Sequence, residues 1–206
     1  MWHRRWWWWG WIIVAVIVLG LGPAGAGAQV MLTPVIGAYV PTANIYEVPG
    51  SIGTARQKTS FVVGARLLVS ASGRLGIEAG VMYAPAGVDI TTSAGTVSRS
   101  SNVTLGHLRL IYVLNSEWAA ANIYAGAGVA VIKRGGEVFQ DVEGLTDVGG
   151  NFALGALFRV GSSFRVRLEI EDYLYQTEFT FSSGETSGPR LQNDFVFTFG
   201  LSIPIG

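Results

Sequence analysis

Charged residues that alternate with apolar ones are the groups in this 206-residue sequence whose types and spacing permit chemistry. Arg167, Glu169 and Glu171 occupy every second position of one segment, so in a β-strand all three project from the same face. A buried charge persists only beside a partner of opposite sign. Such residues form either an ion pathway or gate, or a structural network of ion pairs. The candidate network consists of Arg66, Glu78, Arg109, Arg159, Arg167, Glu169 and Glu171.

Arg66 and Glu78 have a predicted register. Arg66 lies five residues before Ala71-Ser72-Gly73, and Glu78 lies five residues after it. A three-residue hairpin loop at 71–73 would place the two side chains directly opposite each other on one face. Each charge would then supply the partner that the other requires.

His107 is another side chain with catalytic potential, because an imidazole titrates near neutral pH. It shares a strand face with Arg109. No Ser or Asp stands at a sequence distance that indicates a catalytic dyad or triad. We interpret His107 as a structural residue and predict no catalytic residues.

Segment 133–149 combines Lys133 and Arg134 with four carboxylates. Such a group could recruit calcium, or could bridge divalent ions to lipopolysaccharide phosphates. Its spacing does not match the EF-hand loop. We therefore predict a solvated loop, with no metal site and no cofactor. The carboxylates are Glu137, Asp141, Glu143 and Asp147.

The elements that position these residues follow an N-terminal segment of a different kind. Residues 1–28 combine a basic start, a long apolar stretch and Ala26-Gly27-Ala28, as in a secretory signal peptide. An uncleaved anchor is the alternative, but the apolar core at 6–21 is shorter than the ~20 residues of a spanning helix. We predict cleavage after residue 28, which leaves 29–206 as one domain.

Residues 29–206 contain eight segments in which apolar residues alternate with Gly, polar or charged ones. In the last segment, Phe195, Phe197 and Phe199 share one face, whereas Thr198 and Gly200 share the other. An apolar face opposite Gly and ionic groups fits a transmembrane barrel with a polar interior. The segments are about 31–40, 59–70, 75–84, 102–114, 120–132, 150–160, 164–175 and 193–205.

The gaps between these segments alternate in length. Short gaps at 71–73, 115–119 and 161–163 are interleaved with long ones. Short turns at one end and long loops at the other are typical of bacterial outer-membrane barrels. We predict an all-β fold: an eight-stranded antiparallel up-and-down transmembrane β-barrel with short periplasmic turns and long extracellular loops. The long loops are 41–58, 85–101, 133–149 and 176–192.

This barrel decides between the two interpretations of the ionic residues. An eight-stranded barrel is only wide enough for its own side chains, so we interpret the candidate network as a structural filling of the lumen. Small residues on the same face would make room for the long charged side chains. They are Gly37, Gly64, Gly76, Gly80, Gly126, Gly128, Gly155 and Gly200.

Three motifs carry a family resemblance. They are Pro34-Val35-Ile36-Gly37-Ala38-Tyr39, Ile123-Tyr124-Ala125-Gly126-Ala127-Gly128 and the aromatic last segment. The chain resembles the small eight-stranded outer-membrane barrels of the OmpA/OmpX type, often called outer membrane protein beta-barrel domains. The resemblance implies contact with outer-membrane lipid, insertion by the barrel-assembly machinery, and no catalysis. It also implies a role in envelope structure or surface interaction, such as adhesion or resistance, through a ligand of the long loops.

Other functions are weighed against this one. A narrow channel for small or hydrophobic solutes is the first alternative, although a charged lumen argues against a freely open pore. A soluble lipocalin-like ligand-binding barrel is the second, but lipocalin interiors are apolar. A rim-sited enzyme is the third.

The composition excludes further classes. Charged residues make up 14% of the chain, below the ~25% of soluble domains, and 14 Lys+Arg balance 14 Asp+Glu. The scattered basic residues give no support to nucleic-acid binding.

Overall fold

The computed structural model describes residues 29–47, 53–72, 74–115, 120–161, 164–182, 184 and 186–205. The predicted signal peptide at 1–28 lies outside these residues. Among the described residues, no helix is long and apolar enough to cross a membrane.

Eight long antiparallel strands close into a barrel. They are β1 (Gln29–Pro41), β4 (Ser60–Ser72), β5 (Leu75–Ala84), β8 (Asn102–Val113), β9 (Ala121–Gly135), β11 (Thr146–Val160), β12 (Phe164–Thr177) and β14 (Arg190–Ile205). Each barrel strand pairs with the next one along the chain, and β14 pairs with β1 to close the ring. The predicted fold class, an eight-stranded up-and-down barrel, is confirmed.

The long loops carry strands of their own. β2 (Asn44–Glu47), β3 (Thr54–Gln57), β6 (Val88–Thr92) and β7 (Gly95–Arg99) form a four-stranded sheet in that order. β10 (Val142–Glu143) pairs with β13 (Thr180–Phe181), and a single 3-10 turn spans Glu137–Phe139. We call this side of the barrel the long-loop end and the opposite side the short-turn end.

The outer face of the barrel is apolar, as the alternation predicts. Ile36 and Phe61 are 63% and 62% exposed on it. Tyr83 and Tyr112 also face outward, and Trp118 lies outside the described residues. Four other tyrosines are buried and point into the barrel: Tyr39, Tyr124, Tyr173 and Tyr175.

The interior of the barrel is layered. Toward the short-turn end, Met31, Leu68 and Leu157 belong to a buried apolar cluster. Toward the long-loop end, residues such as Val62 and Leu105 form a second apolar cluster. The charged residues lie between these clusters, so the predicted polar interior is one layer of a partly apolar lumen.

Candidate functional site

The register of β4 and β5 differs from the prediction. Arg66 lies opposite Gly80, and Glu78 lies opposite Leu68, so the expected direct pair of Arg66 and Glu78 is wrong. The ladder continues to Ser72, with a register irregularity just before it. Because the strands pair up to Ser72 and Leu75, the turn lies nearer to β5 than the predicted loop at 71–73, and the partner of Arg66 moves from residue 78 to residue 80. Glu78 instead lies directly opposite Arg109 on β8.

Arg109 is the centre of the ionic network. Its Nη2 atom donates to Glu78 Oε1 and to Glu169 Oε1, both at 2.6 Å. Its Nη1 atom donates to Glu171 Oε2 at 2.9 Å and to Asn151 Oδ1 at 2.9 Å. One guanidinium therefore contacts Glu78, Glu169 and Glu171, the three carboxylates of the candidate network.

Arg167 and Arg66 complete the network from β12 and β4. Arg167 Nη2 lies 2.6 Å from Glu169 Oε2, and its Nη1 atom binds Glu78. Arg66 Nη1 lies 3.1 Å from Glu169 Oε1, and its Nη2 atom binds Glu171. The layer thus holds three guanidinium groups and three carboxylates, which leaves it electrically neutral.

Tyr124 supports Arg167 from β9. The guanidinium carbon lies 4.9 Å from the centre of the tyrosine ring, in cation–π contact. Arg167 Nε donates to the Tyr124 hydroxyl at 2.6 Å, and that hydroxyl donates to Glu169. The aromatic ring fixes the guanidinium plane while its hydroxyl extends the hydrogen-bonded network.

The ionic layer excludes water. The side chains of Arg66, Arg109 and their carboxylate partners are 0% exposed, and that of Arg167 is 1% exposed. A water-filled passage would leave accessible surface on the side chains that line it. These side chains therefore leave no water-sized passage beside them.

Arg159 lies apart from this network. It occupies an inward-facing position of β11, as the sequence predicts, but the residue is exposed at the short-turn end. It lies directly opposite Arg165 on β12 rather than beside a carboxylate. The alternation along a strand determines which face a side chain lies on, but not how deep in the barrel it lies.

His107 is buried among acidic and aromatic groups. Its Nδ1 atom is 2.9 Å from the Tyr173 hydroxyl and 3.4 Å from Glu171 Oε2. Its Nε2 atom is 3.6 Å from Glu78 Oε1 and has no hydrogen-bond partner. With its side chain 0% exposed, the imidazole has no room beside it for a substrate.

The predicted glycines make room in two ways. A Cβ atom at Gly80 would lie 2.5 Å from the His107 ring, and one at Gly155 would clash with the Tyr124 hydroxyl. At Gly37, the added atom would meet backbone atoms of β14 instead. Some glycines therefore accommodate lumen side chains, while others allow close approach of adjacent strands.

A second polar layer lies closer to the long-loop end. Arg134 Nη1 binds Asp147 Oδ2 at 2.6 Å, and Arg134 Nη2 binds the Tyr175 hydroxyl. The hydroxyl groups of Tyr175 and Tyr39 donate to Asp194 Oδ2. This network contains polar groups that the sequence interpretation did not bring together.

The solvated-loop prediction for 133–149 is therefore only partly right. Arg134 and Asp147 are 1% and 8% exposed, because β9 and β11 extend the barrel wall into this segment. Glu137, Asp141 and Glu143 are exposed. In the described part of the chain, no group of three His, Asp or Glu side chains is arranged to hold a metal ion.

An apolar pocket opens between the segments of the long-loop end. We call it the canopy pocket; its volume is about 400 Å³. Phe139 and Phe179 stack in its wall with ring centres 5.8 Å apart. Tyr46 meets Phe181 edge-on at 5.0 Å. The remaining apolar lining residues are Ile45, Ala55, Val88, Ile90, Val138 and Val142.

One face of the four-stranded sheet is polar, whereas apolar side chains of the same sheet line the canopy pocket. Lys58 Nζ lies 3.4 Å from Asp89 Oδ1, and both side chains are partly exposed. The hydrogen bond from the Ser98 hydroxyl lowers the pKa of the Asp89 carboxyl, and the charge of Lys58 acts in the same direction. Asp89 therefore stays ionised, and the sheet presents paired charges beside the apolar canopy pocket.

Comparisons with known proteins agree with this architecture. A family model described as the outer membrane protein beta-barrel domain matches residues 14–202. The chain is similar in structure to the outer membrane protein OprG from Pseudomonas aeruginosa, with 13% identity and a TM-score of 0.65 over 88% of this chain and 98% of that one. No curated protein sequence matches.

Two further solved structures have the same fold. The outer membrane protein AlkL, solved in lipid bilayers, is 15% identical, with a TM-score of 0.59 over 88% of this chain and 93% of its own. Outer Membrane Protein W of E. coli is 17% identical, with a TM-score of 0.53 over 87% and 100%. At these identities the likeness shows the fold alone.

Proposed function

This chain belongs to the outer membrane protein beta-barrel domain family, and on that premise we propose that it is a closed, non-enzymatic barrel that acts through its long-loop end. The family locates it in the bacterial outer membrane. This location excludes the soluble lipocalin-like alternative. In the orientation usual for such barrels, the short-turn end faces the periplasm and the long-loop end faces outward.

The dry ionic layer carries the proposal of a closed barrel. Arg66, Arg109 and Glu169 lie in the lumen with 0% of their side chains exposed, so hydrated ions have no path beside them. The apolar outer face contacts lipid, and the barrel anchors the long-loop end in the membrane. The loops 41–58, 85–101, 133–149 and 176–192 then supply the surface for interaction with a ligand outside the cell.

Conductance measurements test the closed barrel. Purified protein in planar bilayers is expected to give no steady unitary currents. The double variant Arg109→Ser/Glu169→Ser removes one charge of each sign and with them a buried ion pair of 2.6 Å. It is expected to conduct once this layer is opened. Steady unitary currents from the unmodified barrel would contradict the proposal.

The canopy pocket favours a second candidate function, the capture of a small apolar molecule. Phe139, Phe179 and their neighbours offer an apolar wall, and burial of apolar ligand surface is worth about 25 cal/mol per Å². The ionic layer lies beneath this pocket, so the structure supports binding at the surface rather than passage through the lumen. The hydrophobic solute of the channel alternative would thus bind at the surface of a closed barrel instead of passing through it.

An apolar fluorescent probe such as N-phenyl-1-naphthylamine tests the canopy pocket. Saturable fluorescence enhancement is expected with the folded barrel. Ala55→Trp should abolish it, because Ala55 lines the pocket and a larger side chain there would fill it. Leu191→Ser is the control, since Leu191 is exposed on β14 outside the pocket. Equal loss in both variants would refute pocket binding.

A further inference from the structure

Three arginines gather around a pocket at the short-turn end. We call it the short-turn pocket; Arg74, Arg159 and Arg165 line it, and its volume is about 240 Å³. Arg159 on β11 lies directly opposite Arg165 on β12. Like charges directly opposite each other in an antiparallel pair are destabilising. The arrangement therefore costs free energy in the empty barrel.

These arginines lack counter-charges in the part of the chain that the structure describes. None of the three guanidinium groups makes an ion pair there, and Arg165 donates only a long hydrogen bond, 3.4 Å, to Gln29. By contrast, Arg109 deeper in the lumen contacts three carboxylates. The short-turn pocket thus concentrates unpaired positive charge within otherwise neutral surroundings.

The floor of the short-turn pocket is apolar. Met31, Leu68, Ile111 and Leu157 line it and belong to one buried apolar cluster. These side chains face the lumen, so the barrel wall separates them from the lipid outside. A ligand that satisfies both features has an anionic group for the arginines and a small apolar body for the floor.

We propose that the short-turn pocket binds the carboxyl terminus of a short peptide with small apolar side chains, presented from the periplasm. The forked guanidinium groups of Arg159 and Arg165 match the two oxygens of a carboxylate. The apolar residues next to that carboxylate would rest on Met31 and Leu157. A lipid phosphate fits less well, because the tails attached to it lie outside the barrel wall. The periplasmic source rests on the orientation in the proposed function.

Binding of N-acetyl-alanyl-alanine to the folded barrel in nanodiscs, followed by calorimetry or NMR, tests this proposal. Saturable binding is expected, and the C-terminal amide of the same peptide should bind at least tenfold more weakly. Arg159→Gln/Arg165→Gln should weaken binding at least tenfold. Arg99→Gln is the matched control, because Arg99 lies on β7 at the opposite end. Heat-modifiable gel migration verifies that each variant is folded.

Several results would overturn the proposal. They are the absence of saturable binding, equal affinity for the amide, and equal loss in Arg99→Gln. If inorganic phosphate bound as tightly as the peptide, the ligand of the pocket would be an oxyanion in general. If a short-chain anionic phospholipid bound as tightly as the peptide, the ligand would be a lipid. Either result would overturn the peptide as the ligand. Glu117 is the carboxylate that the sequence places in the short turns, and it lies outside the described residues. Binding that emerged only in Glu117→Gln would identify an internal counter-ion instead.

A wrong orientation would be recognised separately. Binding of the peptide in nanodiscs reports on the short-turn pocket whichever way the barrel is inserted. Surface labelling of intact cells, described below, reports on the orientation alone. Failure of the pocket and failure of the proposed function are therefore distinguishable.

Discussion

Replacing Arg109 with methionine tests the energetic role of the ionic layer. The substitution keeps an unbranched side chain but removes donors to Glu78, Glu169, Glu171 and Asn151. Two guanidinium groups would then face three carboxylates in a space without water. The remaining carboxylates cannot recover their hydration, because the layer is sealed by apolar clusters on both sides.

The expected loss in the free energy of unfolding of Arg109→Met is large. Removing one partner of a buried ion pair costs about 3–5 kcal/mol, which is roughly two to three and a half orders of magnitude in the unfolding equilibrium. The double variant Arg109→Met/Glu169→Gln restores neutrality. Its loss should therefore be smaller than the sum of the two single losses, by about 0.5–3 kcal/mol.

Urea unfolding in lipid vesicles, followed by circular dichroism and heat-modifiable gel migration, measures these free energies. Arg99→Met is the control, because Arg99 and Glu137 form an exposed pair at 3.6 Å. Such a pair contributes about 0.2–1 kcal/mol. A loss below about 1 kcal/mol for Arg109→Met, or strictly additive losses in the double variant, would refute a tightly coupled dry network.

Three further predictions concern packing, orientation and charge. Gly80→Ala should destabilise the barrel by about 1–3 kcal/mol in urea titrations, because the added Cβ meets the imidazole ring of His107. In the control Gly106→Ala the nearest atom to the added Cβ is 3.7 Å away, so the loss of stability should be smaller. Equal losses in the two variants would contradict this explanation. The chain has no Cys, so each introduced Cys is the single site for a membrane-impermeant maleimide. Ala94→Cys at the long-loop end should be labelled on intact cells, and Arg74→Cys at the short-turn end only after permeabilisation. The reverse pattern would show that the barrel has the opposite orientation. Arg159→Gln should stabilise the ligand-free barrel by about 0.2–1 kcal/mol by relieving repulsion across the β11–β12 pair, and unchanged stability would argue against it.

The strands were predictable because the membrane imposes a strict demand. Lipid on one side requires an apolar residue at every second position, as at Phe195, Phe197 and Phe199 of β14. That period also identified the inward face on which Arg66 and Arg167 lie. Face assignment follows from the sequence whenever the two sides of a strand meet different media.

Depth and register were not predictable by the same means. The strands pair up to Ser72 and Leu75, beyond the loop that the sequence predicts, so Arg66 lies opposite Gly80. Alternation alone reveals neither where the turn begins nor the irregularity between Ser70 and Ser72. Arg159 and Arg167 both occupy inward-facing positions of their strands, yet Arg159 is exposed and Arg167 is buried. The position along the barrel axis depends on turn geometry and tilt, which the period does not encode.

The second polar layer was missed for a related reason. Within β9, the run from Gly128 to Ile132 is apolar on both faces, because the lumen itself is apolar at that depth. Without a contrast between the two faces, the alternation places Arg134 in the predicted loop 133–149 rather than in a continuation of the strand. Its parity with Ala130 and Ile132 is the signal that could have assigned it to the interior.

The ionic layer also bears on how the barrel closes. Its guanidinium and carboxylate groups divide between strands far apart in the chain, so most of the contacts join residues of high sequence separation. The earlier strands contribute two positive charges and one negative, and β12 contributes the opposite excess. Without β12 the lumen residues of the earlier strands carry an excess positive charge, which β12 neutralises, and the native register brings each charge to its partner. The earlier group is Arg66, Glu78 and Arg109, and the later group is Arg167, Glu169 and Glu171. The ion pairs that fill the lumen therefore also favour the native position of β12 in the closed barrel.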